Sequence, residues 1–227
     1  TISNLYINTS AQYSGLFGSI VSGGNVKSSI KDIIFENVNI TSTVRRSGVL
    51  AGSAGNTDIS GITVNNGSIN GYSYVGGIVG RTQSSTTISN CVNRISILGS
   101  DYAIGGIVGY VDNSTSITNC ANYGNVNGER AVGGIVGFSY GLTTLCNVFS
   151  SGNVTFSSDA DGSGLVVGLV SSTLTISGYA IYYSDAKIYY DTTEQEPVAL
   201  GEVSPSVTVT GESNIKGLSS NLLKSGW

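Results

Sequence analysis

The run Val75-Gly76-Gly77-Ile78-Val79-Gly80 returns as Ile104-Gly105-Gly106-Ile107-Val108-Gly109 and as Val132-Gly133-Gly134-Ile135-Val136-Gly137. Looser copies stand at Ser14-Gly15-Leu16-Phe17-Gly18, Ser47-Gly48-Val49-Leu50-Ala51-Gly52 and Ser163-Gly164-Leu165-Val166-Val167-Gly168. One glycine marks each copy in turn: Gly15, Gly48, Gly77, Gly106, Gly134 and Gly164. The step is roughly 30 residues, and a period of this length narrows the fold to stacked repeats, because one such unit cannot bury its own apolar face.

Each copy has the same parts. A polar turn follows the glycine run, as at Gln83-Ser84-Ser85 and Asp112-Asn113-Ser114. Next comes Ile-x-x-apolar, as at Ile88…Cys91 and Ile117…Cys120, then a last short apolar piece such as Gly124-Asn125-Val126-Asn127. These pieces are rich in Ile, Val and Thr, which suit a pleated, half-buried surface. No stretch of the repeats keeps a 3.6-residue period long enough for a helix. The expectation is an all-β fold, a right-handed parallel β-helix (β-solenoid) of about seven rungs. Each rung covers the free edge of the next at ~4.8 Å.

Equivalent positions should then stack as columns. Ile78, Ile107, Ile135 and Leu165 form one expected inward column, and Ile59, Ile88 and Ile117 another. Ile62, Cys91, Cys120 and Cys146 form a third, and Ile69, Ile97, Val126 and Val154 a fourth. Arg81, Tyr110, Phe138 and Leu169 share a register on the outside. Asn90 with Asn119, and Asn125 with Asn153, read as internal amide ladders. The paired glycines are expected at sharp bends or at positive φ.

The repeats occupy residues 1–178, and residues 179–227 read as an irregular C-terminal rung and cap. The cap contains a strand over 206–210 and a short helix over 218–226 with a Ser N-cap and a glycine stop. The chain begins at Thr1 without Met and shows no signal peptide, which reads as a segment of a longer polypeptide.

Composition excludes several classes of function. The net charge is −4, which disfavours nucleic acid. No apolar run is long enough for membrane insertion. The 227 residues include no His, which removes Ser–His and Cys–His catalysis and His-containing zinc sites. Cys91, Cys120 and Cys146 lack the close pairs that metal sites use, and they read as buried small hydrophobes. Adjacent rungs bring Cys91 and Cys120 near bonding distance, though disulfide geometry is restrictive. Ser158-Asp159-Ala160-Asp161-Gly162 begins like a calcium loop but lacks the remaining ligands, so it reads as a turn. The carboxylates are scattered and form no catalytic constellation.

The three best runs, each followed by Ile/Leu-x-x-Cys and Gly-Asn-Val, resemble the GLUG repeat. The likeness is closest at 105–128, with Asn119-Cys120 and Gly124-Asn125-Val126, and covers about residues 13–175. Gly-Leu-Ser-Ser-Asn-Leu-Leu-Lys at 217–224 resembles a tail that follows such repeats. The resemblance implies an extracellular, secreted or cell-wall attached bacterial protein, as in adhesin-like proteins and the non-catalytic part of M26-type immunoglobulin A1 proteases. It carries over no catalytic residue, metal or cofactor. The expected function is a non-enzymatic module acting in adhesion or ligand presentation. Its partners would be a host glycan or glycoprotein and further domains of the same polypeptide. The alternatives are a polysaccharide-acting β-helix enzyme and a purely structural stalk. Candidate ligand contacts are Tyr110, Phe138, Tyr179, Tyr182, Tyr183, Tyr189 and Tyr190, because exposed aromatic rings are common at interfaces; the alternative is that the Ile-Tyr-Tyr alternation covers the end of the core.

Overall fold

The computed structural model describes residues 1–24, 26–158, 162–183, 185–204 and 209–218. It is a parallel β-solenoid of about seven coils. One coil shows the plan. Tyr102–Gly105 forms a strand of sheet 1, the chain bends at Gly106-Ile107, and Val108–Val111 joins sheet 2. After a turn, Thr115–Thr118 joins sheet 3, and beyond a corner Ala121–Asn122 and Val126–Asn127 both join sheet 4. Among the described residues these sheets hold 5, 7, 7 and 14 strands, so sheets 2, 3 and 4 run the length of the stack and sheet 1 spans its five middle coils. Pairing between coils is parallel throughout, and the one antiparallel pair among the described residues joins Ile188–Tyr190 to Thr193–Gln195.

Two of the expected columns form as read, and both extend further. Ile59, Ile88 and Ile117 stand in register and continue to Ile30, Leu145 and Ile176. Ile69, Ile97, Val126 and Val154 do the same, continuing to Ile7, Ile40 and Ile188. Nearly all of these side chains are fully buried. Each contributes roughly 1.5–3 kcal/mol by leaving water, and the gain is possible only because the next coil covers it.

The other two columns need correction in their last member. Ile78 donates its N–H to Ile107 O (3.1 Å) and Ile107 to Ile135 O (3.0 Å), but Ile135 donates to Val166 O (2.9 Å). Val166, not Leu165, therefore continues the column. The pairing partner of Gly164 is Gly133, not Gly134, so the step into that coil is one position longer than the glycine count suggests. Cys146 likewise pairs with Thr118 on the outward side of sheet 3, half-buried, while the slot beneath Cys120 is filled by buried Val148.

The glycines of the repeat serve close approach. The φ values of the paired glycines lie outside the left-handed region, which falls instead on Arg46, Tyr74, Ala103 and Ala131 (φ 74, 53, 61 and 50°), the residues leading into sheet 1. Sheets 1 and 2 press backbone on backbone. A Cβ built on Gly105 would lie 2.0 Å from Val108 O, and one on Gly109 2.6 Å from Val75 N. Any side chain there would hold the two sheets apart.

The expected ladder of Asn90 with Asn119 forms and extends to Asn147, but at the surface and not inside. Asn119 donates its side-chain amide to Asn90 Oδ1 and Asn147 to Asn119 Oδ1, both 3.2 Å, on the exposed corner between sheets 3 and 4. All three adopt φ of 52°, a left-handed turn that Asn tolerates. Between Asn125 and Asn153 the donor is the Asn153 backbone N–H (2.9 Å). The internal amide pair is Asn93 and Asn122, both fully buried and joined at 2.8 Å.

Past residue 178 the pairing continues through Ala180–Tyr183, Leu200–Val203, Val209–Thr210 and Ile215–Leu218. The expected helix over 218–226 lies outside the described residues except for Leu218, which ends a strand. Residues 206–208 of the expected strand, and Asp159-Ala160-Asp161 of the calcium-like turn, also lie outside them.

Candidate functional site

Six of the seven aromatic candidates fall on two faces, and Tyr179 lies at a corner. Tyr110 and Phe138 lie on sheet 2, in the outward column Ser53, Arg81, Tyr110, Phe138, Leu169, Glu202. Tyr182, Tyr183, Tyr189 and Tyr190 lie on sheet 4. Tyr182 and Tyr183 pack against the main core, and Tyr190 meets Phe156 at 5.3 Å between ring centroids. Tyr179, 52% exposed, precedes that sheet at the asparagine corner, where its N–H donates to Asn147 Oδ1 (3.3 Å). The structure therefore does not gather the seven into one patch.

It builds instead a second, smaller apolar cluster outside the solenoid. Ala103, Ala131, Phe138 and Leu169 are its buried members, with Tyr74, Tyr102 and Tyr110 packed against them. The ring centroids of Tyr74 and Tyr110 are 4.5 Å apart, those of Tyr110 and Phe138 5.3 Å, and those of Tyr102 and Phe138 5.4 Å. Tyr140 stacks on Tyr110 at 5.9 Å and remains 53% exposed, whereas Phe138 is only 7% exposed. The ridge thus has a sunken base and an open rim. Tyr74, Tyr102 and Tyr140 have no counterpart in the sequence reading. The signal for Tyr102 is its position just before the left-handed Ala103, in register with Arg130.

Charged groups frame this ridge. The Arg45 guanidinium lies 5.7 Å from the centre of the Tyr74 ring and that of Arg130 lies 5.1 Å from the centre of Tyr102. Arg130 also pairs with Asp101 (3.1 Å), and Arg81 pairs with Asp112. Burial, reinforced by the Asp112 carboxylate, pushes the Tyr110 phenol well above its usual range, so it stays a neutral donor and acceptor. At Asp101 burial alone would raise the carboxyl, but hydrogen bonds from Ser73 (2.5 Å) and Arg130 outweigh it and hold the group below its ordinary value.

That shift gives a sign. A carboxyl lowered in the folded state adds stability above its unfolded pKa, and this is lost as pH falls through the folded value. Urea midpoints taken between about pH 6 and about pH 3 should therefore fall less for Asp101→Asn than for the unmodified chain. Equal losses would remove Asp101 from the account.

Among the described residues no group of three His, Cys, Asp or Glu is placed to hold a metal ion. No helix there is long and apolar enough to cross a membrane. Four carboxylates, Asp58, Asp101, Asp112 and Glu194, are each paired with a cation.

Continuous sheets, like-on-like columns and an external aromatic ridge define a β-solenoid repeat protein. Residues 100–127, about one coil of the stack, match the GLUG motif, so the solenoid carries a GLUG repeat. That motif is a repeat unit not known as catalytic. No curated protein and no solved structure matches the chain.

Proposed function

We propose that this solenoid is a non-enzymatic module of a secreted or cell-surface bacterial protein, acting in adhesion and ligand presentation. The observation that carries the reading is the ridge on sheet 2, where five aromatic rings and flanking guanidiniums lie outside a fold whose own core is already complete. A host glycan or glycoprotein fits this chemistry. Aromatic edges and faces take the apolar side of a sugar ring, while Arg and Asp side chains exchange hydrogen bonds with its hydroxyls.

The test is a glycan and glycoprotein array probed with the purified chain and with Tyr140→Ala. Tyr140 lies on the open rim, so its truncation should leave the thermal midpoint nearly unchanged. It should weaken binding by about 10-fold, the effect of losing one aromatic anchor. An array without signal, or a variant that binds as well as its parent, would count against the ridge.

A further inference from the structure

We infer that Cys91 and Cys120, thiols in this structure, form a disulfide that ties two successive coils together, leaving Cys146 as the odd thiol. The two residues stand directly over one another. Asn90 and Asn119 are joined on one side of them, and Val92 and Asn93 pair with Ala121 and Asn122 on the other. In-register neighbours in parallel strands sit about 4.8 Å apart, inside the Cα separation a disulfide spans. Both side chains point inward and are fully buried, in a column whose adjoining slots hold Ile62 and Val148. Two sulfurs thus meet where the repeat otherwise places branched aliphatics.

Their surroundings differentiate them. Cys91 donates to Ser89 O (3.2 Å), and Cys120 to Thr118 O (3.3 Å) and Ile88 O (3.7 Å). A hydrogen bond from Cys120 lowers the Cys91 thiol, while burial raises that of Cys120 well above its usual range.

The oxidant is a small disulfide such as oxidised glutathione. One of the two sulfurs attacks it as the thiolate and expels one glutathione thiolate, forming a mixed disulfide, and the other cysteine's sulfur then displaces the second. The protein loses two protons and two electrons, and the oxidant leaves as two thiols. Because both sulfurs are out of contact with solvent in the folded coil, the exchange belongs to the stage before these coils close. The bond closes a loop one coil long, from Cys91 round to Cys120.

The experiment refolds the chain in a glutathione redox buffer, unfolds it in denaturant without reductant and alkylates it. Intact mass and peptide mapping then follow. The expected result is one alkylated site, Cys146, with a cross-linked pair of peptides carrying Cys91 and Cys120, and three alkylated sites after reduction. Oxidation should raise the thermal midpoint by on the order of 6 °C. Cys120→Val, which places the residue found one coil further on, should have a midpoint insensitive to reductant. Three free thiols in the oxidised sample, or a bond that includes Cys146, would overturn the assignment. The peptide map of the unmodified chain decides the matter even if the variant fails to fold.

Discussion

Gly105→Val should abolish the native coil around it, costing more than about 4 kcal/mol. A Cβ at that position meets Val108 O at 2.0 Å and Gly137 N at 2.6 Å. Both are backbone atoms held in parallel pairing, and neither can move aside as a side-chain tip would. The only relief is to separate sheets 1 and 2, which uncovers Ile107 and its column. Domains of this kind have ~5–15 kcal/mol of net stability, so a loss of this size removes a large share. In a solenoid it should be felt first by neighbouring coils. Hydrogen exchange should show lost protection centred on residues 75–137, with the coils further away less affected. Gly23→Ala is the control. A Cβ there meets nothing within 4 Å, and its effect on the denaturation midpoint should be close to zero. If Gly105→Val melts like Gly23→Ala, the tight contact between sheets 1 and 2 is wrong.

Asn122→Asp carries the second largest expected effect, and it should depend on pH. Asn122 is fully buried. Its amide donates to Gly124 O (2.9 Å), and its oxygen accepts from Gly124 N–H (3.2 Å) and from Asn93 (2.8 Å). Truncation to Ala leaves these groups without partners, at about 1–3 kcal/mol for each one orphaned. Aspartate keeps the shape but removes the donor and adds a charge with no cation beside it. Burial raises the pKa of such a carboxyl above its unfolded value. Its penalty is then small when the acid is protonated and grows as pH rises through the normal carboxylate range. Urea titrations at about pH 4 and about pH 7 should show Asn122→Asp near Asn122→Ala at the lower pH and clearly less stable at the higher one. A variant equally stable at both would mean that water reaches this pair.

Much of the molecule was legible beforehand. Ile59, Ile88 and Ile117, and Ile69, Ile97, Val126 and Val154, can be placed in columns from their spacing alone, since each copy repeats the same local pattern. The outward column Arg81, Tyr110, Phe138, Leu169 followed from the same count. The candidate site was legible only in part. Tyr110 and Phe138 belong to the ridge, but Tyr74, Tyr102 and Tyr140 reach it from different points of their own coils, and no period marks them. The five Tyr of 179–190 looked like one group in sequence. Tyr182 and Tyr183 pack on the main core, Tyr190 meets the ring of Phe156, Tyr179 stands at an exposed corner, and Tyr189 pairs with Thr155 in sheet 4.

What the amino-acid order determined by itself was the coil: a repeating unit of short β-branched strands, glycine at fixed places, and a requirement that like lie on like. What only the tertiary structure decided was the offset between coils. One extra residue before Gly164 places Val166 over Ile135, and the pairing of Thr118 with Cys146 turns that cysteine outward and leaves Cys91 and Cys120 as a pair. The physical reason is that strand side chains alternate between faces, so a shift of one residue exchanges inside for outside. Spacing along the chain cannot resolve a shift that small where a loop absorbs it. Hydrogen bonding to the adjacent coil resolves it, because only one offset buries the apolar face while pairing the backbone.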